Sequence, residues 1–220
     1  MSGGLGALVH RIRPPASTPP DGALVLFHGR GTDERDLVPL LDALDPRERL
    51  IGLTPRGPFA LTPGGAHWYA VRRIGYPDHD TFSDALERAA GWVDALPAAT
   101  GVPLERTVLG GFSQGAVMAY ALALGRGRPA PAGLLALSGF IPTVEGFELD
   151  PEARAGFPAM LAHGAHDPII GVEHGRAAHD RLEKAGLAVD YLEAPVGHQI
   201  DPSSIPALAD WLERALSPAT

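Results

Sequence analysis

Six short apolar runs without polar alternation punctuate the chain, at residues 24–27, 50–53, 107–109, 134–137, 159–162 and 188–192. Runs of this length with no polar face suit strands buried on both sides of a parallel sheet. Turn-forming residues follow the first three: His28-Gly29, Thr54-Pro55 and Gly110-Gly111. Between the runs the spacing turns helical. Phe82, Leu86, Ala89, Val93 and Leu96 recur on one helical face, with Asp80 or Ser83 as the expected cap and Pro97 as the stop. Residues 114–124 are small and apolar nearly all round, as in a helix packed deep against a sheet. Residues 173–185 read as a helix closed by Gly186, and residues 205–216 as a last amphipathic helix with Leu208, Trp211, Leu212 and Ala215 on one side.

Strand–helix alternation of this kind predicts an α/β fold: a mostly parallel central sheet with helices on both faces. The 220 residues suit one domain, 1–220, with little room for a lid. Within it, residues 1–22 are expected to supply an N-terminal edge strand, at 5–12, and a Pro-rich link, at 14–22. Two stretches resist the alternation: 55–77, rich in Gly and Pro, and 141–157, irregular and acidic. Loops of that length are commonly functional.

Charge removes several classes of function. A net charge of −8 argues against nucleic acid and against an anionic membrane surface. No run approaches the ~18 apolar residues of a membrane span, and the N-terminus lacks the pattern of a signal peptide. A cytoplasmic protein without a stable membrane anchor is therefore expected. The chain contains no cysteine, which excludes thiolate nucleophiles, thiolate metal sites and disulfides.

The chemistry is concentrated at the ends of the strand candidates. Gly111-Phe112-Ser113-Gln114-Gly115 fits Gly-x-Ser-x-Gly, in which a serine sits on a sharp strand-to-helix turn and only glycines relieve the crowding two residues away. A nucleophilic serine needs a base, and the base an orienting acid, in the chain order Ser, acid, His. Asp167 follows the fifth strand candidate, within His163-Gly164-Ala165-His166-Asp167, and His198 follows the sixth. Ser113, Asp167 and His198 are thus the expected catalytic triad of an α/β-hydrolase fold. His28-Gly29-Arg30-Gly31 follows an earlier strand, so the backbone N–H groups of Arg30 and Gln114 are the expected oxyanion donors. His28 precedes the serine and reads as a residue holding that loop. His163 and His166 flank Asp167 and invite a zinc reading. No His-Glu-x-x-His pattern exists, however, and His174 and His179 are five apart, off a common helical face. Neither a metal nor a cofactor is expected.

Together these motifs resemble the phospholipase/carboxylesterase family of small α/β-hydrolases, which includes the acyl-protein thioesterases. The Gly-Phe-Ser-Gln-Gly form of the elbow and the Trp68-Tyr69 pair add to the likeness, which runs from Val25 to Leu212. Arg30 makes the chain look more like the bacterial carboxylesterases than the eukaryotic members, where an apolar residue is common. Ala116 and Gly171 replace the usual glycine and proline. The resemblance implies a serine carboxylesterase acting on small to medium acyl esters, with acyl-protein thioesterase or lysophospholipase as alternatives. A small-molecule-binding homologue with an idle triad is the reading from another class. Ester or thioester small molecules are the implied partners, and a homodimer is admitted because family members often dimerise. Trp68, Tyr69, Phe140, Ile141, Ile169 and Ile170 lie near the motif ends and are candidates for the substrate pocket. Arg30, Arg72 and Arg73 are candidates for meeting an anionic substrate group.

Overall fold

The computed structural model describes residue 5 and residues 8–217. In chain order the main elements are β1 (His10–Arg13), β2 (Gly22–Phe27), α1 (Val38–Leu44), β3 (Leu50–Pro55), two small hairpins made of β4 (Phe59–Ala60) with β5 (Ala66–His67) and β6 (Val71–Arg73) with β7 (Tyr76–Pro77), α2 (His79–Asp94), α3 (Leu96–Thr100), β8 (Thr107–Phe112), α4 (Gln114–Leu124), β9 (Gly133–Leu137), β10 (Pro158–Gly164), α5 (Val172–Lys184), β11 (Ala188–Ala194) and α6 (Ile205–Leu216).

Seven strands form the central sheet in the order β1-β3-β2-β8-β9-β10-β11. All neighbours are parallel except β1, which runs antiparallel to β3 at the edge. This is an α/β-hydrolase-like fold in one domain. The six apolar runs became its strands because both sheet faces are covered. Phe82, Trp92 and Val93 of α2, all of α4, and Ala178 and Leu182 of α5 pack on one face. Leu40, Leu41 and Leu44 of α1 and Leu208, Trp211 and Leu212 of α6 pack on the other. Each fully buried Leu or Trp among these contributes on the order of 1.5–3 kcal/mol at most.

Several local expectations need correction. The edge strand is His10–Arg13 rather than 5–12; Gly6 and Ala7 lie outside the described residues. Strand β8 does not stop at Gly110-Gly111 but runs through both to Phe112. The glycines are there because a Cβ on Gly110 would lie 2.9 Å from the Leu135 Cβ on β9. Helix α2 is capped by Asp78, whose carboxylate accepts the Thr81 N–H, and not by Asp80 or Ser83. Pro97 does not end α2; it sits in the first turn of α3, where its missing N–H costs nothing. Stretch 55–77 contains the two hairpins, and α1 has no counterpart in the apolar pattern. Among the described residues no helix is long and apolar enough to cross a membrane.

The strand order reverses direction between β2 and β8, since β3 lies beyond β2 and β9 beyond β8. Such a switch opens a crevice at the carboxyl ends of the strands, where ligands bind in open α/β sheets. Ser113, the His28–Arg30 loop, Asp167 and His198 all follow those ends.

Candidate active site

Ser113 has φ 55° and ψ −119°, a strained conformation for a residue with a side chain. The surrounding glycines make it attainable. A Cβ on Gly115 would lie 1.8 Å from the Phe27 carbonyl oxygen, and one on Gly111 would lie 2.4 Å from the Gly115 carbonyl carbon. The turn therefore brings α4 hard against the end of β2, and its first N–H groups, which have no intrahelical acceptor, face the site.

A chain of hydrogen bonds runs from this serine. The Ser113 Oγ lies 2.9 Å from His198 Nε2, and His198 Nδ1 lies 2.6 Å from Asp167 Oδ2. An ionised carboxylate only accepts, so Nδ1 carries the imidazole proton and Nε2 is free to accept the serine hydroxyl. Asp167 is fixed in turn: its Oδ1 accepts the N–H groups of Ile169 at 2.8 Å and Ile170 at 2.9 Å. Burial alone would raise the Asp167 carboxyl. The hydrogen bonds from His198 and from the Ile170 and Ile169 amides outweigh it and hold the group below the usual carboxylate range. The Asp167 side chain is fully buried and that of His198 is 18% exposed, so the acid is dry while the imidazole reaches the crevice. The Phe112 ring stacks obliquely on the imidazole, with centroids 4.9 Å apart.

Backbone pairing joins the loops that carry the acid and the imidazole. Ala165 N–H donates to Ala194 C=O at 2.7 Å and His166 N–H to Val196 C=O at 3.0 Å. Buried His163 donates from Nε2 to Ile170 C=O at 2.8 Å, bracing the turn whose amides hold Asp167. His166 is exposed, so the two histidines that suggested zinc do different things. His174 packs against Phe140 and His179 against Tyr191.

The loop after β2 is equally constrained. His28 Nδ1 donates to Gly29 C=O at 2.7 Å and Nε2 accepts the Gly57 N–H at 2.9 Å. Burial is the largest influence on this imidazole and lowers its pKa, which keeps it neutral and able to accept. Trp68 Nε1 donates to His28 C=O at 2.9 Å, and Gly31 N–H donates to Ala66 C=O at 2.8 Å. A Cβ on Gly29 would lie 3.5 Å from the Ser113 Cβ, so this backbone passes directly over the elbow. Arg30, on this loop, and Gln114, the first residue of α4, both line the same cavity as Ser113.

A family described as phospholipase/carboxylesterase matches residues 10–216. The chain belongs to that family. Among its relatives are acyl-protein thioesterase 1 of Debaryomyces hansenii, 25% identical over 205 residues that cover 83% of this chain and 86% of that one, and acyl-protein thioesterase 1 of Candida albicans, 29% identical over 199 residues covering 81% and 85%. The carboxylesterase of Bacillus cereus has the same fold: TM-score 0.82, 23% identity, 96% of this chain and 95% of that one.

In this phospholipase/carboxylesterase-family hydrolase a cavity of about 220 Å³ adjoins the serine, lined by Arg30, Tyr69, Val71, Ile74, Ser113, Gln114, Phe140, Ile169 and Ile170. Of the residues expected at the pocket, Tyr69, Phe140, Ile169 and Ile170 border it. Trp68 does not: it is fully buried beneath, against Phe27 and His28. Ile141 packs against the core instead. Val71 and Ile74 escaped the sequence reading because they sit within a Gly/Pro-rich stretch with no periodicity. The Gln114 side chain was missed too. Its Oε1 accepts the Trp68 N–H at 3.1 Å and its Nε2 donates to Tyr69 C=O at 2.9 Å, tying the elbow to the cavity wall. Arg72 is paired with Asp78, and Arg73 lies over the Tyr76 ring. Neither borders the cavity.

Proposed function

We propose that the protein is a serine carboxylesterase that hydrolyses small to medium acyl esters through an acyl-enzyme. The observation that carries this reading is the continuous chain Ser113–His198–Asp167 at hydrogen-bonding distance, starting from a serine in a strained elbow. His198 Nε2 takes the Ser113 proton as Oγ attacks the ester carbonyl. The imidazolium that forms is stabilised by Asp167, whose carboxylate is already ionised. The Arg30 and Gln114 amides receive the oxyanion, each donor worth about 3 kcal/mol in the transition state. Collapse expels the alcohol, which takes the proton from His198. Water then attacks the acyl-enzyme, with His198 again as base, and the acid leaves with Ser113 restored. No step requires a cofactor.

The cavity volume of about 220 Å³ lies below the ~300–1,000 Å³ of pockets that enclose drug-sized ligands. That favours short to medium acyl groups. Relatives that are acyl-protein thioesterases support a second reading, in which the same attack falls on a thioester. Hydrolysis of p-nitrophenyl esters from acetate to palmitate by wild type and Ser113→Ala tests the proposal. The variant is expected to lose on the order of 10⁴–10⁶ in turnover, and the wild type to peak at short chains. A peak at long chains moves the weight to the thioesterase or lysophospholipase reading. Equal, slow turnover by both proteins refutes the esterase.

A further inference from the structure

We propose that the cleft beside Ser113 selects acyl groups that carry a carboxylate of their own, such as half-esters of short dicarboxylic acids, and that Arg30 receives that carboxylate. This rests on the esterase reading of the same site. Six of the nine lining residues are apolar or aromatic and none is acidic; Arg30 is the one cation among them. Within 4.0 Å its guanidinium meets no carboxylate among the described residues, whereas its neighbours are spoken for. Arg35 and Arg56 are held by Asp33 and Glu34, Arg72 by Asp78, and Arg73 by the Tyr76 ring. The acids nearest this loop are thus already committed: Asp36, too, accepts the Thr32 hydroxyl at 3.0 Å.

An exposed arginine without a partner would be unremarkable elsewhere on the surface. Here the same residue lines the cavity beside Ser113, and in the proposed mechanism its backbone amide receives the oxyanion. An apolar lining lowers the local dielectric and strengthens attraction between that guanidinium and an anion inside. A guanidinium also matches a carboxylate bidentately, which orients the acyl chain as well as attracting it. The remainder of the molecule works the other way, because its net charge of −8 repels anions. A preference for anionic esters would therefore have to be local.

The test compares monomethyl adipate with methyl hexanoate, matched in acyl length, by pH-stat at pH 8 in wild type, Arg30→Met, Arg30→Lys and Ser113→Ala. The readout is the ratio of kcat/KM for the anionic ester to that for the neutral one. Any disturbance of the Arg30 backbone affects both substrates and cancels in the ratio. Arg30→Met is expected to lower the ratio about tenfold, at the low end for a charged hydrogen bond because the site is open to water. Arg30→Lys should retain most of it. Raising NaCl should reduce the wild-type ratio and leave that of Arg30→Met flat. Ser113-dependent hydrolysis of both esters with a ratio unchanged in Arg30→Met overturns this proposal and leaves the esterase standing. Hydrolysis of neither ester in a Ser113-dependent way removes both.

Discussion

Gly164→Ala would place a methyl group between the two loops that carry Asp167 and His198. Gly164 ends β10, and a Cβ there would lie 2.1 Å from the Gly197 carbonyl oxygen and 2.6 Å from that of Val196. An unstrained carbon–oxygen contact is about 3.3 Å. The approach of 2.1 Å therefore forces the loops apart by about 1.2 Å, measured against that contact distance. The hydrogen bonds that must survive this are the 2.6 Å contact of His198 with Asp167 and the 2.9 Å contact with Ser113. A misplacement of about 1 Å in a catalytic group costs about 10²-fold, or about 2.7 kcal/mol of transition-state stabilisation. We therefore expect kcat for p-nitrophenyl butyrate to fall about 100-fold. Gly197→Ala is the control: it adjoins His198, yet its Cβ would meet nothing nearer than 3.8 Å and its backbone is not in the left-handed region. It should stay within about threefold of wild type on the same geometric argument. Urea unfolding of both variants separates loop displacement from loss of fold. Wild-type kcat in Gly164→Ala, or equal damage from Gly197→Ala, would show that the spacing of these two loops does not set the rate.

Two further outcomes follow from the same contacts. Gln114→Ala strands the buried Trp68 N–H and Tyr69 C=O. It should lower the free energy of urea unfolding by about 2–4 kcal/mol and raise KM as the Tyr69 wall loosens; a loss below about 0.5 kcal/mol would mean the clamp contributes nothing. Asp78 is held at about 2, first by the Thr81 amide and hydroxyl and then by Arg72, against an ordinary value of 3.8. A depressed carboxyl stabilises above its unfolded value and loses that contribution as pH falls through the folded one. Tm should therefore drop more steeply between pH 4 and 2 in wild type than in Asp78→Asn, and parallel curves would show that the cap and ion pair carry no pH-dependent stability.

How far the site could be read from the chain depended on how local its causes are. Helix α4 has the bounds its composition predicts, Gln114–Leu124, because a helix apolar all round has no other place than against the sheet. Ser113, Asp167 and His198 could be found because each follows a strand end, and a parallel sheet brings its strand ends together. The side-chain contacts that brace them were not legible. Nothing in Gln114 distinguishes a side chain that clamps Trp68 and Tyr69 from one in solvent; the clamp exists only once β8 and the 55–77 stretch meet. Trp68 and Tyr69 are adjacent, and only their environment decides that one enters the core and the other borders the cavity. Asp78, Asp80 and Ser83 are all suitable caps by type, and in the fold it is Asp78 whose carboxylate accepts the Thr81 N–H. Helix α1 is short, seven residues with Pro39 in its first turn, and owes its form to Leu40, Leu41 and Leu44 packing beside α6.

Turnover through an acyl-enzyme requires Ser113 to be the residue that takes up the acyl group. The most direct test is to treat the protein with diethyl p-nitrophenyl phosphate, measure the intact mass and the released p-nitrophenol, and map the adduct by peptide mass spectrometry. One diethylphosphoryl group per chain is expected, on Ser113, with esterase activity lost in proportion and no adduct in Ser113→Ala. Full esterase activity in the phosphorylated protein, or an adduct on another residue that tracks the loss, would rule out Ser113 as the nucleophile.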